Sequence, residues 1–347
     1  MKNPFRAMAK ARRLARAGRP LSAALALGSL MPSPITKRAK TIVRKPRPSR
    51  PAPGTFIQGR FSSAHGERSY KLYTPHGSTR RRLPLVVMLH GCGQSADDFA
   101  RGTGMNALAD ELGFLVLYPE QSMSANVARC WNWHRPSNQK RGAGEPALLA
   151  ALTREVVKIS KANPSRIYVA GLSAGAAAAA ILASAYPDLF VALGIHSGPE
   201  HGGVRTLTGA LSTMRNGGGD TGKAKTGPLP PTIVFHGDQD TIVHPSNAAG
   251  FLSRLRHSRA NPLLSRVVQG RADGGREFTR TMHRYAAGPV LLEDWVVHGS
   301  GHAWSGGNGA GSHTDPAGPD ASREMMRFFL ARKRTPASRP KSARSAL

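Results

Sequence analysis

The sequence predicts an α/β fold in which a mostly parallel central sheet is covered by helices on both faces. Three observations lead there. Short apolar runs without alternation recur at residues 85–89, 114–118, 166–170, 191–195 and 232–235, the pattern of strands buried on both sides. Helical patterns separate several of them, notably 145–160, where Leu148, Leu149, Leu152, Val156 and Ile159 share one stripe, and the alanine-rich run 176–185. Strands that alternate with helices imply crossover connections, and crossovers imply parallel pairing.

The body of the chain spans residues 54–331. Residues 55–61 and 70–74 read as a hairpin at the sheet edge, and 290–297 as the last long strand before a closing helix around 325–330. Residues 198–230, rich in Gly, Thr and Lys, read as a surface excursion over the carboxyl end of the sheet. Before the body come a basic N-terminal segment, 1–31, and a Pro/Lys/Arg-rich linker, 32–53. Lys2 through Arg19 precede a short apolar stretch at 21–31, the order found in a secretory signal. Yet Pro32-Ser33-Pro34 follows in place of a small-x-small cleavage site. Met8, Leu14, Leu21, Ala24 and Leu25 instead suit two short amphipathic helices broken at Gly18-Arg19-Pro20, and uncleaved helices are the favoured reading.

Charge is concentrated at the ends. Of the formal net +29, residues 1–53 and 332–347 hold +20 with no acidic residue, leaving +9 for the body. Such tails suit an anionic surface, or are simply solvated. Phe5 is the only aromatic residue among them, so no stacking platform for bases, and no specific nucleic-acid motif, is expected. No apolar run reaches the roughly 20 residues of a transmembrane helix.

Chemistry enters at Gly171-Leu172-Ser173-Ala174-Gly175. A G-x-S-x-G motif alone also fits a small-residue turn in any α/β protein. Here a strand pattern precedes it and a helix pattern follows, the setting in which a serine hydroxyl projects from the sheet of an α/β-hydrolase. A serine needs a positioned base and the base an anionic partner, and this fold supplies them in the chain order serine, acid, histidine. After the strand at 232–235 comes His236-Gly237-Asp238-Gln239-Asp240, and after 290–297 comes His298-Gly299-Ser300-Gly301-His302. Asp240 is preferred to Asp238, which suits a turn residue bonding its own backbone. His302 is preferred to His298 because a glycine-rich loop lets its ring swing between acid and serine; His236 and His244 flank the acid. For the oxyanion, the backbone N–H of Ala174 is one expected donor and that of Cys92, in His90-Gly91-Cys92-Gly93, the other.

Together these residues resemble the polyhydroxybutyrate depolymerase family of esterases, within the α/β-hydrolases. The likeness spans residues 54–331. It rests on Leu89 to Gln94, Cys130-Trp131-Asn132-Trp133, Gly171 to Gly175, His236 to Asp240, His302-Ala303-Trp304-Ser305-Gly306-Gly307, and the segment from Thr314 to Ser322. The resemblance implies Ser173 as nucleophile, Asp240 as acid, His302 as base, and Cys92 with Ala174 as oxyanion donors. It also implies substrates that are esters of short hydroxyacids, polymeric or oligomeric, with feruloyl and acetyl esterases as close relatives. Secreted members generally carry a linker and a polymer-binding domain after the catalytic one. This chain ends soon after Ala331 in a short basic tail, an expectation against action on crystalline polymer.

Cys92 and Cys130 are the only cysteines. A disulfide between them would brace the oxyanion loop, stabilise by about 3–4 kcal/mol in the chain-entropy model, and imply an extracellular or periplasmic location. Two free thiols in the cytoplasm are the alternative. Cysteines so far apart form no ligand cluster, so neither a metal nor any cofactor is expected. Trp131, Trp133 and Trp304 lie in loops beside the site motifs, and their placement suggests exposure at a substrate cleft rather than core packing. The sequence therefore points to a serine esterase acting on polyhydroxybutyrate polymer or oligomers. The alternatives are a feruloyl or acetyl-xylan esterase, or a non-catalytic basic protein that coats a surface through a hydrolase fold.

Overall fold

The computed structural model describes residues 53–77, 82–200, 204–217, 228–257, 262–286 and 288–334. The expected N-terminal helices, nearly all of the linker and most of the basic tail fall outside them. The body does not stop at 331, as the sequence suggested. The Arg334 N–H donates to Ser165 O at 2.9 Å, and Tyr168 Oη donates to Arg332 O at 2.8 Å.

One ten-stranded sheet organises the body, in the order β1-β2-β4-β3-β5-β6-β7-β10-β9-β8. Its six central strands are parallel: β4 (Leu115–Glu120), β3 (Leu85–Leu89), β5 (Ile167–Leu172), β6 (Ala192–His196), β7 (Thr232–Gly237) and β10 (Leu292–Val297). Antiparallel hairpins extend both edges. On one side β1 (Thr55–Ser63) pairs with β2 (Gly66–Thr74), as the sequence predicts. On the other, β9 (Glu277–Tyr285) joins β10 and carries β8 (Leu263–Arg271) at the rim. This second hairpin was not expected, because β8 is largely exposed and shows no apolar run.

Helices cover both faces. On one lie α3 (Gly144–Ile159), α4 (Ala174–Ala185) and α6 (Asn247–His257), packing Leu149, Leu152, Ala179 and Phe251 against Val87, Val169 and Val234. On the other lie α1 (Ala96–Thr103), α2 (Met105–Leu112) and α7 (Ala321–Leu330), with Phe99, Met105, Met325 and Phe329 against Met88, Tyr168 and Phe235. The paired helices α1 and α2 are only eight residues each and too short to declare themselves by period. They are set by local signals: Ser95 caps α1 by accepting from the Asp98 N–H, and Gly104 at φ 64° turns one into the other. Within the expected surface excursion, α5 (Leu207–Asn216) buries Ala210 in a small cluster with Trp133 and Ala174.

Parallel register places the site. Leu172 lies opposite His196 and His196 opposite Phe235, while His236 lies opposite Val296. The residues that follow these four strands therefore emerge side by side at one edge of the sheet, the crevice where open α/β sheets bind ligands.

The start of α4 is seated against backbone with no room to spare. A Cβ on Gly175 would lie 2.2 Å from Leu89 O and 2.4 Å from His90 O, and one on Gly171 would lie 2.4 Å from Gly175 O. Backbone cannot move aside as a side chain can. Gly175→Ala is expected to lower stability by about 1–3 kcal/mol, a drop in Tm of roughly 2–10 °C in thermal denaturation. An unchanged Tm would show that the helix is not seated on these carbonyls.

Candidate active site

Ser173 stands between the end of β5 and the first residue of α4 with φ 57° and ψ −121°, a conformation that L-residues rarely adopt. Surrounding contacts hold it there: its N–H donates to His196 O at 2.9 Å, and its carbonyl accepts from Ala176 N and Ala177 N. The side chain does not cap the helix. Its hydroxyl has no hydrogen-bond partner among the described residues, and the residue is 6% exposed. Ala174, first in the helix, has no intrahelical acceptor for its N–H. The strained turn thus presents a hydroxyl and, beside it, an unspent backbone donor.

The Asp240 side chain is entirely enclosed. Its Oδ1 accepts from Ile242 N at 2.9 Å and Val243 N at 2.8 Å, and its Oδ2 lies 2.7 Å from His302 Nδ1. Burial alone would raise the carboxyl. Hydrogen bonds from His236, His302 and the Val243 N–H outweigh it and hold the group well below the ordinary carboxylate range. Asp240 is therefore ionised throughout the neutral range, and the bond through Nδ1 leaves His302 Nε2 as the ring atom available for proton transfer.

The rival residues have other partners. Asp238 and His298 pair with each other, Oδ2 to Nδ1 at 2.9 Å, and the Gly299 N–H donates to Asp238 Oδ1 at 2.7 Å. His298 Nε2 meets Thr279 Oγ1 on β9 at 2.9 Å. His244 bonds Ser246 Oγ. The loop carrying His302 is consequently not the swinging glycine segment that the sequence suggests. Asp238 grips it at Gly299, Asp315 accepts from Ser300 Oγ at 2.6 Å, and Arg276 closes on Asp315.

His196 had no sequence signal beyond its place after an apolar run, yet it joins the two halves of the site. Its carbonyl holds the Ser173 N–H, and its Nε2 accepts from the Ser305 N–H at 2.8 Å, three residues beyond His302. Its ring stacks between Phe235 and Trp304. Burial, together with the nearby His236 and His302 rings, pushes this imidazole down to about 3, so it stays neutral and keeps Nε2 as an acceptor.

The loop after β3 is braced from several sides. His90 accepts the Gln121 N–H on Nε2 at 3.0 Å and turns Nδ1 to Gly91 O at 2.8 Å. The Gly91 N–H donates to Gln94 Oε1 at 2.9 Å, and the Gly93 N–H to Ala128 O at 2.8 Å. Cys92 is joined to Cys130 in a disulfide. Among the described residues the Cys92 N–H, the expected second oxyanion donor, has no backbone acceptor.

The tryptophans are not exposed at a cleft. Trp131, Trp133 and Trp304 are 1%, 3% and 1% exposed. Trp131 Nε1 donates to His90 O at 3.0 Å and Trp304 Nε1 to Ser322 Oγ at 3.0 Å. Trp131 thereby anchors the backbone at the end of β3, and Trp304 is fixed to the Ser322 hydroxyl on α7, since a buried indole N–H needs a partner. Trp133 packs beside Ala174 and Ala177 at the foot of α4. Glu145 on α3, unremarked in the sequence, completes the brace by accepting from the Asn132 N–H at 2.9 Å and from Gln121 Nε2. Among the described residues no cluster of His, Cys, Asp and Glu could hold a metal ion.

Residues 68–281 match the family model for esterase PHB depolymerase. The chain belongs to this family. It is 30% identical to poly(3-hydroxyalkanoate) depolymerase C of Paucimonas lemoignei across 73% of this chain and 62% of that protein, so it spans less than two thirds of that relative's length. It is 28% identical to feruloyl esterase B of Neurospora crassa across 71% of this chain and 82% of the relative. Among solved structures, the acetyl xylan esterase of Aspergillus awamori superposes with a TM-score of 0.60 at 19% identity, over 80% of this chain and 99% of that one, a likeness of fold. The fold is that of the α/β-hydrolases, and the relatives are carboxylic ester hydrolases.

Two measurements probe the site. His302→Ala is expected to lower kcat by about four orders of magnitude, whereas His298→Ala should retain kcat within about tenfold and lose about 1 kcal/mol of stability with its hydrogen bonds; the reverse ranking would transfer the base to His298. Reduction and alkylation of the Cys92–Cys130 disulfide, which closes 38 residues, should cost about 3–4 kcal/mol in the chain-entropy model and depress kcat more than it raises KM. Unaltered kcat after reduction would show that His90, Gln94 and Trp131 hold the loop unaided.

Proposed function

We propose that this protein is a serine esterase that cleaves esters of short hydroxyacids, polyhydroxybutyrate polymer or its oligomers, through Ser173, His302 and Asp240. The observation that carries the reading is the 2.7 Å bond between Asp240 and His302, on a loop tied through His196 to the backbone of Ser173. In the reaction, Ser173 Oγ attacks the ester carbonyl carbon while His302 Nε2 takes its proton. The carbonyl oxygen becomes an anion that the N–H groups of Ala174 and Cys92 receive. Collapse expels the alcohol end of the ester, which takes the proton back from His302, and leaves an acyl-enzyme on Ser173. Water then gives its proton to His302 as it attacks, and a second collapse releases the hydroxyacid and restores the serine. Asp240 remains an anion throughout, keeping the imidazole oriented and stabilising it while it is protonated. No cofactor takes part in these steps.

Substrate choice draws on two supports. The relative named for poly(3-hydroxyalkanoate) favours the polyester. So do the exposed apolar side chains on segments attached to the site: Met123 and Val127 beside the braced oxyanion loop, Leu207 and Leu211 on α5, and Ile242 next to Asp240. Water-exposed apolar groups on segments that lead into the site suit an insoluble apolar chain. A second reading, a feruloyl or acetyl-xylan esterase, is favoured by the larger share of the relative that is covered, 82% of feruloyl esterase B against 62% of the depolymerase. The disulfide supports an extracellular or periplasmic location, and no helix among the described residues is long and apolar enough to cross a membrane.

The test is release of soluble 3-hydroxyacids from an amorphous polyhydroxybutyrate suspension, set beside methyl ferulate and acetylated xylan, with Ser173→Ala as the control. We expect polyester release that Ser173→Ala lowers by at least about four orders of magnitude. Turnover confined to ferulate or acetyl esters would select the second reading, and activity retained in Ser173→Ala would overturn the placement of the site.

A further inference from the structure

His236 is the fifth of six residues in β7, 1% exposed, in a strand otherwise composed of apolar and small residues and Thr232. Its Nε2 lies 2.7 Å from Val243 O and 3.4 Å from Asp240 Oδ2. A carbonyl oxygen only accepts, so Nε2 carries the proton, and its N–H is directed to Val243 O with Asp240 Oδ2 close beside it. Val243 is thereby held at both ends, its carbonyl by His236 and its N–H by Asp240 Oδ1. The Asp240 carboxylate is enclosed on every side: two backbone N–H groups on Oδ1, and two imidazole rings, His302 and His236, on Oδ2.

Behind the ring, β10 runs parallel to β7. Val296 faces His236 and Asp294 faces Val234, so Asp294 and His236 share one face of the sheet. His236 Nδ1 and Asp294 Oδ1 are both closed from solvent, and neither has a hydrogen-bond partner among the described residues. Burial lifts the Asp294 carboxyl to about 6, against the pull of His236. The charged and titratable groups around the His236 ring are therefore Asp240 on its own loop, His196 on β6, Asp294 on β10, and His302 beyond Asp240. A second imidazole against the triad carboxylate has no use in packing that an apolar residue would not serve at lower desolvation cost.

We propose that His236 is a positioning residue of the catalytic apparatus, its Nε2–H locking the Asp240 loop so that Oδ2 is presented to His302 at a single angle. The inference rests on the triad reading above. Because it concerns the Asp240–His302 bond itself, part of its test needs no turnover.

The experiment compares wild type, His236→Gln and His236→Leu, each checked by thermal denaturation. Gln can place an amide N–H where the imidazole Nε2–H stands, and Leu cannot. Steady-state kinetics use p-nitrophenyl butanoate, and proton NMR follows the far-downfield resonance of the His302 Nδ1–H, identified by its loss in His302→Gln. We expect His236→Leu to lower kcat by up to about a hundredfold, the scale of a misplaced catalytic group, with KM within about twofold, and to shift or broaden the downfield resonance. His236→Gln should recover most of kcat and the resonance. If His236→Leu does not fold, His236→Asn takes its place, since its shorter amide falls short of Val243 O and Asp240. Wild-type kcat and an unmoved resonance in the Leu or Asn variant would overturn the proposal. So would equal losses in both variants tracking a lowered Tm, the mark of packing alone. A wild-type enzyme without Ser173-dependent turnover would instead defeat the esterase reading, and the resonance would still decide whether His236 positions Asp240.

Discussion

The conformation forced on Ser173 is the constraint from which the rest of the site follows. A residue at φ 57° and ψ −121° costs on the order of 1–3 kcal/mol and persists only where its surroundings over-determine it. Here the surroundings are backbone. Gly175 sits on the carbonyls of Leu89 and His90, Gly171 touches Gly175, and the Ser173 N–H is tied to His196 O. Because those carbonyls belong to the end of β3 and the start of the oxyanion loop, the seating that strains the serine also brings that loop to the head of α4. The unspent N–H of Ala174 and that of Cys92 are thus placed by the same contact that leaves the hydroxyl unbonded.

Neutral histidines do the remaining alignment. His90 and His196 are both buried, and burial depresses both rings. Each then offers one nitrogen as an acceptor to a backbone N–H, Gln121 for His90 and Ser305 for His196. A protonated ring could not accept at that nitrogen, so the low-dielectric setting is what makes these rings useful as clamps. Asp240 is the counter-example in the same region. It is fully enclosed yet remains an anion, because four donors surround it. Burial has opposite outcomes for the two residue types, and the difference lies in the number of donors that reach each group.

How much of this was legible in the sequence depends on how local each cause is. The serine turn was legible, since its glycines answer a steric need within five residues. The meeting of Asp240 with His302 was legible too, because it follows from strand order in the sheet. His196 was not, as its two jobs involve residues 23 positions before it and 109 after. The β8–β9 hairpin was hidden by its exposure, which removes the apolar pattern a buried strand shows. The tryptophans misled for a related reason. Loop position suggests exposure, but these side chains are buried, and each indole N–H is spent inside the protein, that of Trp131 on the His90 carbonyl and that of Trp304 on the Ser322 hydroxyl.

The two acid–histidine pairs explain why a pair of glycine-rich loops can hold one geometry. Asp238 and Asp240 leave the end of β7 two residues apart, and His298 and His302 leave β10 four residues apart. Either aspartate has the chemistry to meet either histidine. The outer pair, Asp238 with His298, is half-exposed and also gripped by Thr279 and the Gly299 N–H. With the outer partners engaged to each other, the inner carboxylate has His302 as the histidine of that loop still to be met, and a slip of the loops would have to break both pairs together. An exposed ion pair contributes little stability by itself. Its value here is registry: it removes the competing partners from the buried bond on which the proposed chemistry depends.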